Sequence, residues 1–374
     1  MTSAAPARPN RPQGLPLLDK LLPLWILLAM LLGLGISSFA PGISTALEAM
    51  HVGSISVPIA LGLLVMMYPP LAKVRFDRAR DIAADRRLLV ISLLLNWIAG
   101  PLLMFTLAWL FLADYPELRT GLIIVGLARC IAMVLIWSDL ACGDREATAV
   151  LVAINSFFQV LMFGVLGWFY LQILPDWLGL DTTAADFSFW SIVSSVLIFL
   201  GIPLLAGVGS RLIGERTKGR AWYEEKFLPA IDPLALLGLL YTIVLLFALQ
   251  GQQVMDDPLA VARVALPMLC YFIAMFFFAL FISKAAGLNY ARSTSVSFTA
   301  AGNNFELAIA VSIGTFGAFS QQALAGTVGP LVEIPVLVSL VYVILWLGPR
   351  LFPQDPTLPP RSFISTPTPT NQKA

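Results

Sequence analysis

Two positions carry reactive side chains inside long apolar stretches. Cys130 follows Arg129 in GLARCIAMVL, and Glu306 follows Asn303 and Asn304 in GNNFELAIAV. A carboxylate within an apolar span is costly to insert, so it usually faces a cavity and has a function, such as taking up and releasing a proton. A cysteine thiolate is a nucleophile and a soft ligand. The alternatives are a structural acid hydrogen-bonded between helices and an inert thiol that packs as a small hydrophobe.

Further polar residues lie beside these positions or in other apolar stretches. A cation favours the thiolate, but Arg129 need not reach the Cys130 sulfur, because adjacent helical residues point about 100° apart. Asn155 and Gln159 are four residues apart and share one helix face, where they either line a cavity or hold helices together. Glu333 is either a second cavity carboxylate or the partner of a buried cation such as Arg129.

Several other chemistries find no support in the sequence. The three cysteines show no CxxC spacing, which argues against a zinc site or a disulfide framework, and Cys142 and Cys270 are interpreted as ordinary thiols. The single histidine, His51, lies in a predicted loop, so an intramembrane thiol hydrolase would lack a histidine base in the spans. There is no GxxxxGK(S/T) phosphate loop for ATP, and a net charge of +1 offers no basic surface for nucleic acid. We therefore expect neither enzyme activity nor a cofactor.

The composition places the chain in a membrane. Of its 374 residues, 58% are hydrophobic and 12% are charged, and the mean hydropathy is +0.84. A soluble domain carries about 25% charged residues. Apolar runs of about 20 residues recur, and each is long enough to cross the hydrocarbon core as a helix. Helices are the expected elements because lipid cannot satisfy a free backbone group.

We predict ten membrane-spanning helices with both termini in the cytoplasm. The predicted spans are 22–40, 54–72, 88–112, 120–140, 147–173, 188–208, 228–250, 259–283, 293–317 and 325–348. Of the 23 basic residues, 20 fall in the tails and loops on one side of these spans, and basic loops are typically cytoplasmic. Residues 1–21 and 351–374 are then cytoplasmic tails, and residues 22–350 form the membrane domain.

Ten spans divide into two halves of five, about 22–173 and 188–348. With an odd number in each half, the second half starts on the opposite side of the membrane, as in the inverted-topology repeats of many secondary transporters. Their binding sites lie near the midplane, where interrupted helices of the two halves meet. The predicted fold is an all-α integral membrane protein of two inverted five-helix repeats, with broken crossing helices four and nine.

A weak internal match places the two reactive positions at the same point of each half. Cys130 in the fourth span is placed opposite Glu306 in the ninth, and Gly126 and Gly302 lie four residues before them. Small and aliphatic residues follow in both spans. We interpret the match as two helices unwound near a glycine, with side chains and free backbone groups facing a shared cavity.

Four uncommon strings occur in order along the predicted spans: MMYPPLAKVRF, GLARCIAMVLIWSDLACGDREATAVLVAINSFFQVLMF, FTAAGNNFELAIAV and GPLVEIPVLVSLVYVILWL. They resemble the arsenite efflux permeases of the arsenical-resistance type, within the bile acid/arsenite/riboflavin transporter superfamily, over about residues 22–350. The resemblance implies a ten-span plasma-membrane carrier, with Cys130 and Glu306 matching the family's functional cysteine and glutamate. The sequence departs from the family pattern at Ser138, where we expect asparagine, and at Cys142, where we expect a basic residue.

The resemblance implies export of trivalent arsenic in exchange for protons by alternating access, with arsenite as the substrate and antimonite as a further candidate. Cys130 is then the ligand of arsenic(III), a soft centre that binds thiolates, and Glu306 couples transport to protons. Arsenite, protons and the lipid bilayer are the expected partners. The expected substrate-binding residues are Cys130, Glu306, Asn303, Asn304, Arg129, Asn155 and Glu333.

The alternative function is a sodium-coupled symporter of organic anions, as in the bile-acid branch of the same superfamily. In that case the side-chain oxygens of Asn303, Asn304 and Glu306 would hold sodium. A hard sodium site has no use for a thiol, so Cys130 distinguishes the two functions. Dependence of transport on a sodium gradient or on a proton gradient separates them experimentally.

Overall fold

The computed structural model describes residues 21–40, 42–43, 47, 50–52, 55–73, 85–131, 133–180, 189–317 and 319–359. Within these ranges the regular secondary structure is helical, apart from a hairpin of two short strands, β1 (His51–Val52) and β2 (Ile55–Ser56). The helices are α1 (Leu22–Phe39), α2 (Val57–Ala72), α3 (Arg86–Phe111), α4 (Pro116–Leu127), α5 (Met133–Leu140), α6 (Arg145–Trp177), α7 (Phe189–Lys218), α8 (Arg220–Asp256), α9 (Pro258–Ala285), α10 (Tyr290–Ala301), α11 (Phe305–Phe316) and α12 (Gln321–Leu351).

These helices confirm the prediction of an all-α membrane protein. In the described residues, seven helices are long and apolar enough to cross a bilayer, namely α1, α3, α6, α7, α8, α9 and α12. α2 and α11 are shorter apolar helices. The predicted fourth span is divided into α4 and α5, and the predicted ninth span into α10 and α11. The count of ten crossings stays a prediction.

Apolar side chains cover the outside of the bundle, while polar side chains fill parts of its interior. On α1, Leu27 and Leu31 are half-exposed, as are many large apolar residues on other helices. By contrast, Arg129, Gln159 and Glu333 are completely buried. This distribution is expected when lipid surrounds the protein, because polar groups in a membrane face the interior of the bundle.

Four long helices contain one π-helical turn, and a proline follows each turn at the same distance. In every case the residue before the proline donates its N–H to the carbonyl five residues back. Proline has no N–H, and its ring clashes with the carbonyl four residues earlier, so a wider turn accommodates it within a continuous helix. The turns are Leu95–Ala99, Phe169–Ile173, Leu197–Gly201 and Tyr223–Phe227, and the prolines are Pro101, Pro175, Pro203 and Pro229.

The helices pack in two groups. A smaller bundle is formed by α1, α2, α8 and the second half of α7, and a larger bundle by α3–α6 and α9–α12. The first half of α7 packs against α6 and α11 and so joins the two. Glycines allow close approach in the smaller bundle: a Cβ at Gly33 would lie 2.7 Å from the Val244 carbonyl oxygen, and one at Gly238 would lie 2.8 Å from the Met66 nitrogen. Close packing at small residues is typical of membrane helices.

Residues 352–359 continue beyond α12 and pack against the start of α10. Asp355 accepts a hydrogen bond from the Tyr290 N–H at 2.7 Å, and the Thr357 hydroxyl accepts one from the Ala291 N–H at 3.2 Å. Partial burial opposes ionisation of Asp355, but hydrogen bonds from Thr357 and Tyr290 hold its pKa below the usual value. The first part of the predicted C-terminal tail therefore belongs to the folded protein. The rest of it, and almost all of the predicted N-terminal tail, lie outside the described residues.

The contact between α11 and α12 has no room for a larger side chain at Gly329, because a Cβ there would overlap the Phe305 ring. We expect Gly329→Ala to lower the free energy of unfolding by about 1–3 kcal/mol, as overpacking does. In Gly35→Ala, the matched control, the new methyl group meets no atom within 4 Å. The control should be neutral or stabilising, because alanine is the better helix former. Thermal unfolding in detergent measures both variants, and an unchanged melting temperature in Gly329→Ala contradicts the prediction.

Candidate substrate site at two helix breaks

Both predicted helix breaks are present in the structure. α4 ends at Leu127, and Ala128 is extended, with φ −85° and ψ 116°. α10 ends at Ala301, and Gly302 is extended, with φ −73° and ψ 143°. Each break therefore exposes main-chain groups that an intact helix would satisfy internally.

The two breaks cross and satisfy each other. The Cys130 N–H donates to the Gly302 carbonyl at 3.3 Å, and the Asn304 N–H donates to the Ala128 carbonyl at 3.0 Å. Between these bonds, Arg129 and Asn303 form an antiparallel bridge. Exchanging the two segments exchanges the two hydrogen bonds, so the crossing has local two-fold symmetry.

This symmetry corrects the register of the internal sequence match. Cys130 is equivalent to Asn304 at the crossing, whereas the match placed it opposite Glu306. Gly302 lies at its break, but Gly126 lies inside α4. The physical reason is that main-chain hydrogen bonds set the pairing of the extended residues, and similarity of side-chain type does not. The sequence comparison found the correct region with a shift of two residues.

Arg129 anchors the first break, the one between α4 and α5, through neutral partners. It is completely buried, and its Nη1 donates to the Tyr271 hydroxyl at 2.8 Å and to the Ala300 carbonyl at 3.3 Å. Its Nη2 donates to the Gly126 carbonyl. Among the described residues no ion pair joins Arg129 to Glu333, so the interpretation of Arg129 as the partner of that carboxylate is wrong. The carbonyls left free by the break and a tyrosine hydroxyl compete successfully for the guanidinium donors.

The Cys130 side chain lies at the centre of the crossing. It is 4% exposed, and a Cβ placed on Gly302 would lie 3.1 Å from the Cys130 Cβ and 3.4 Å from Glu333 Oε1. The thiol faces the backbone N–H groups of Met133 and Val134 in the first turn of α5.

Two carboxyls approach the thiol from the second half of the chain. Glu333 is completely buried, and both Glu333 and Glu306 lie close enough to Cys130 to interact with it electrostatically. Glu333 Oε1 accepts a hydrogen bond from the Asn303 N–H at 3.2 Å. Glu306 is partly exposed and occupies the first turn of α11, where the helix dipole favours a negative charge.

The two asparagines between these carboxyls have different contacts. The Asn303 amide donates to the Val125 carbonyl at 2.8 Å. Asn304 Oδ1 caps α11 by accepting from the Leu307 N–H at 3.0 Å, and its Nδ2 lies 4.0 Å from the sulfur of Met67. Met67 belongs to α2, so the smaller bundle contacts the crossing at this point.

Asn155 and Gln159 of α6 hold the first break from the other side. Gln159 Oε1 accepts a hydrogen bond from the Arg129 N–H at 2.5 Å, and Asn155 Oδ1 accepts one from Trp97 Nε1 at 3.1 Å. The sequence left open whether these residues line a cavity or hold helices together. Their oxygens hold helices together, while their amide nitrogens have no partner among the described residues.

Several buried polar side-chain atoms around the crossing are unpaired. Within the described part of the chain they have no hydrogen-bond partner, although buried polar groups are normally paired. Such atoms can offer hydrogen-bond donors and acceptors to a small polar solute. The unpaired atoms here are Arg129 Nε, Asn155 Nδ2, Gln159 Nε2, Asn303 Oδ1 and Glu333 Oε2.

Tyr271 and Met67 are contributors that the sequence analysis missed. Tyr271 lies in the apolar run MLCYFIAMFF of α9, and Met67 lies in the string MMYPP of α2. Nothing in either string indicates a partner at the crossing. The sequence pointed to Tyr271 only indirectly: a buried Arg129 needs hydrogen-bond acceptors, and a tyrosine hydroxyl in a neighbouring helix is one of them.

A buried polar crossing of two broken helices, inside a bundle with an apolar outer surface, defines the chain as a multi-pass membrane transporter. A family model described as the Sodium Bile acid symporter family matches residues 60–257. The Arsenical-resistance protein Acr3 of Corynebacterium glutamicum is 70% identical over 96% of this chain and 97% of its own length. Acr3 of Alkaliphilus metalliredigens is 30% identical over 88% and 93%, and an uncharacterized transporter of Synechocystis sp. is 32% identical over 91% and 92%.

The chain belongs to the arsenite efflux permease family, a branch of the sodium bile acid symporter family, as the resemblance predicted. It is a transporter and not an enzyme, which confirms the expectation from the absence of catalytic motifs. Its membrane location follows from the same relationship and from the apolar helices.

The hydrogen bond between Arg129 and Tyr271 should stabilise the first break. In Tyr271→Phe a buried charged donor loses the nearer of its two acceptors, and we expect the free energy of unfolding to fall by about 1.5–3 kcal/mol. Tyr241→Phe is the matched control, because Tyr241 is 42% exposed on α8. Thermal unfolding in detergent should show a lower melting temperature for Tyr271→Phe alone. Equal melting temperatures of the two variants contradict the anchoring role.

Proposed function

We propose that the protein exports arsenite across the plasma membrane in exchange for protons, by alternating access at the crossing of the broken helices. The observation that carries the proposal is the convergence of one thiol, Cys130, with the carboxyls of Glu306 and Glu333. The 70% identity to an arsenical-resistance protein supports the choice of substrate.

The proposed topology has ten crossings, with α4–α5 and α10–α11 each forming one broken crossing of an inverted repeat. Contacts group the connecting segments at two ends of the bundle. Arg292 pairs with Asp85 and Asp144 at one end, and Gln253 donates to the Phe319 carbonyl at the other. We name these the inner end and the outer end. Most of the basic residues in connecting segments lie at the inner end, which supports a cytoplasmic orientation for it and for both termini.

Arsenite matches the donor set at the crossing. At neutral pH it is the uncharged trihydroxide As(OH)3, with a soft arsenic centre that binds thiolates. The Cys130 thiol would replace one arsenic hydroxyl, forming one As–S bond and releasing water, and water would reverse this single bond when the substrate leaves. The hydroxyl groups of the substrate would take up the unpaired donors and acceptors of Asn155, Asn303 and Glu333. Arg129 orients the break through its buried contacts with Tyr271.

Proton exchange would drive release on the outer side. In the inward-open state, arsenite enters between the two bundles and binds Cys130 while Glu306 is ionised. The bundles then rock to open the outer end, and a proton arriving at Glu306 or Cys130 weakens the contact with arsenic. The protonated carrier returns to the inward-open state and gives its proton to the cytoplasm, so each cycle moves arsenite out and a proton in.

Sodium-coupled transport of an organic anion is the alternative function. It is supported by the description of the matching family model, the Sodium Bile acid symporter family. Oxygens of Asn303, Asn304 and Glu306 would be the sodium ligands. One contact disfavours that site, because Asn304 Oδ1 is used to cap α11. The buried thiol of Cys130 beside the carboxyls also has no role in binding a hard cation.

The thiol should be required for transport. We expect Cys130→Ala to abolish arsenite uptake into everted vesicles, because arsenic loses its soft ligand. Cys270→Ala is the matched control, since Cys270 lies on α9 outside the crossing, and it should keep wild-type uptake. Arsenic accumulation is measured by mass spectrometry. Wild-type uptake by Cys130→Ala would refute the thiol role.

Coupling should depend on Glu306 and on the proton gradient. In proteoliposomes we expect an imposed pH gradient to drive arsenite flux and a sodium gradient at equal pH to have no effect. Glu306→Gln should lose the flux driven by the pH gradient, because the amide cannot ionise, while its melting temperature stays near that of the wild type. Flux driven by sodium in the wild type, or a pH dependence unchanged by Glu306→Gln, would contradict the proposal.

A further inference from the structure

We propose that the hydrogen bond between Thr327 of α12 and Gln250 of α8 is an outer latch that closes the exit route of the transporter. This inference rests on the proposed alternating-access function and adds positioning residues to it. The Thr327 hydroxyl is bonded to the side-chain carbonyl of Gln250, and both residues are completely buried. α8 belongs to the smaller bundle and α12 to the larger one, so the bond crosses the surface along which the bundles must separate.

A second contact also links the two bundles at the outer end. One helical turn beyond Gln250, Gln253 Nε2 donates to the Phe319 carbonyl at 3.4 Å. Gln252, between them, is held within the smaller bundle, where its N–H donates to the Ser37 hydroxyl at 3.0 Å. The tip of α8 is therefore tied to α1 and reaches across to α12 and to the segment that precedes it.

The ion pairs described at the inner end have a different arrangement, because within the described residues each of them stays within one bundle. Lys73 of α2 pairs with Asp232 of α8 in the smaller bundle. In the larger bundle, Arg292 of α10 pairs with Asp85 before α3 and Asp144 before α6. The bundles can separate at the inner end without breaking these ion pairs. At the outer end, separation requires loss of the latch.

The chemistry of the outer end also suits a passage that opens to water. Buried polar atoms there have no partner among the described residues, namely Gln253 Oε1, Thr315 Oγ1 and Gln321 Oε1. A permanently closed interface between helices would be sealed better by apolar side chains. Hydroxyl and amide groups that regain partners when water enters are suited to a solute that itself carries hydroxyl groups. Thr327 and Gln250 lie between this polar region and the crossing.

Loss of a single buried hydrogen bond changes the ratio of the outward-open to the inward-open state only modestly. Its net worth corresponds to about a two- to tenfold change in an equilibrium constant. Thr327→Val keeps the shape of the side chain and removes the hydroxyl, so it should raise the outward-open population by about that factor. Thr327→Ser keeps the hydroxyl and should behave as the wild type.

The test measures how fast Cys130 reacts with a membrane-impermeant maleimide, in protein whose other thiols are removed by Cys142→Ala and Cys270→Ala. In right-side-out vesicles we expect Thr327→Val to raise the labelling rate about two- to tenfold. The rate in everted vesicles should be unchanged or lower. Thr242→Val is the matched control on α8, because the Thr242 hydroxyl bonds only to the Gly238 carbonyl of its own helix in the described contacts.

Gln250→Leu provides a second route to the same result. Alone it should raise labelling from outside, and Thr327→Val should then add nothing further, because both changes remove the same hydrogen bond between the bundles. Unchanged labelling from outside in both single variants overturns the latch. A rise that is equal in both vesicle orientations also overturns it, because that result indicates general loosening of the fold.

The labelling requires no arsenite, so it separates the latch from the substrate assignment. If wild-type protein fails to transport arsenite while Thr327→Val still accelerates labelling from outside only, the substrate proposal fails and the latch stands. If arsenite transport is present and the labelling shows no sidedness, the latch fails and the transport proposal stands.

Discussion

The structure depends on one pair of main-chain hydrogen bonds, between Cys130 and Gly302 and between Asn304 and Ala128. A broken helix inside a membrane leaves donors and acceptors that lipid cannot satisfy. Two breaks that cross in an antiparallel manner satisfy each other, because each offers the N–H and the C=O that the other lacks. This pairing reduces the cost of unwinding the helices. It also brings one end of each of the four short helices, α4, α5, α10 and α11, to the same place. The reactive side chains are therefore brought together by the backbone.

The same constraint explains why Arg129 and Cys130, although adjacent, have different tasks. Extended residues point to opposite sides, so the Arg129 guanidinium reaches Tyr271 and the carbonyls of Gly126 and Ala300. The thiol faces Glu333 and the start of α5. A buried cation with neutral partners stabilises the breaks without neutralising the carboxyls. In the proposed mechanism, both carboxyls consequently stay available for protons or for substrate.

The packing of the helices fits the proposed movement around this crossing. Close contacts at glycines join α1, α2 and α8 within the smaller bundle. Between the bundles, the described contacts include the approach of Met67 to Asn304 at the crossing and the bond between Thr327 and Gln250 near the outer end. Rigid groups joined by few polar contacts are suited to rocking, because few interactions change between states. The π-helical turns accommodate prolines and leave the long helices continuous.

The sequence by itself determined the membrane class, the approximate helix positions, the two breaks and the identity of Cys130, Glu306 and Glu333 as unusual residues. These features depend on local composition, since lipid excludes polar groups and a single charged residue in a long apolar span is conspicuous. Only the tertiary structure decided the register of the crossing, the neutral partners of Arg129 and the contribution of Tyr271. Those depend on which main-chain groups meet across about 170 residues of chain, from Cys130 to Gly302. No pattern within a single helix specifies such a contact, because hydrogen bonds between distant segments depend on how the helices pack against each other.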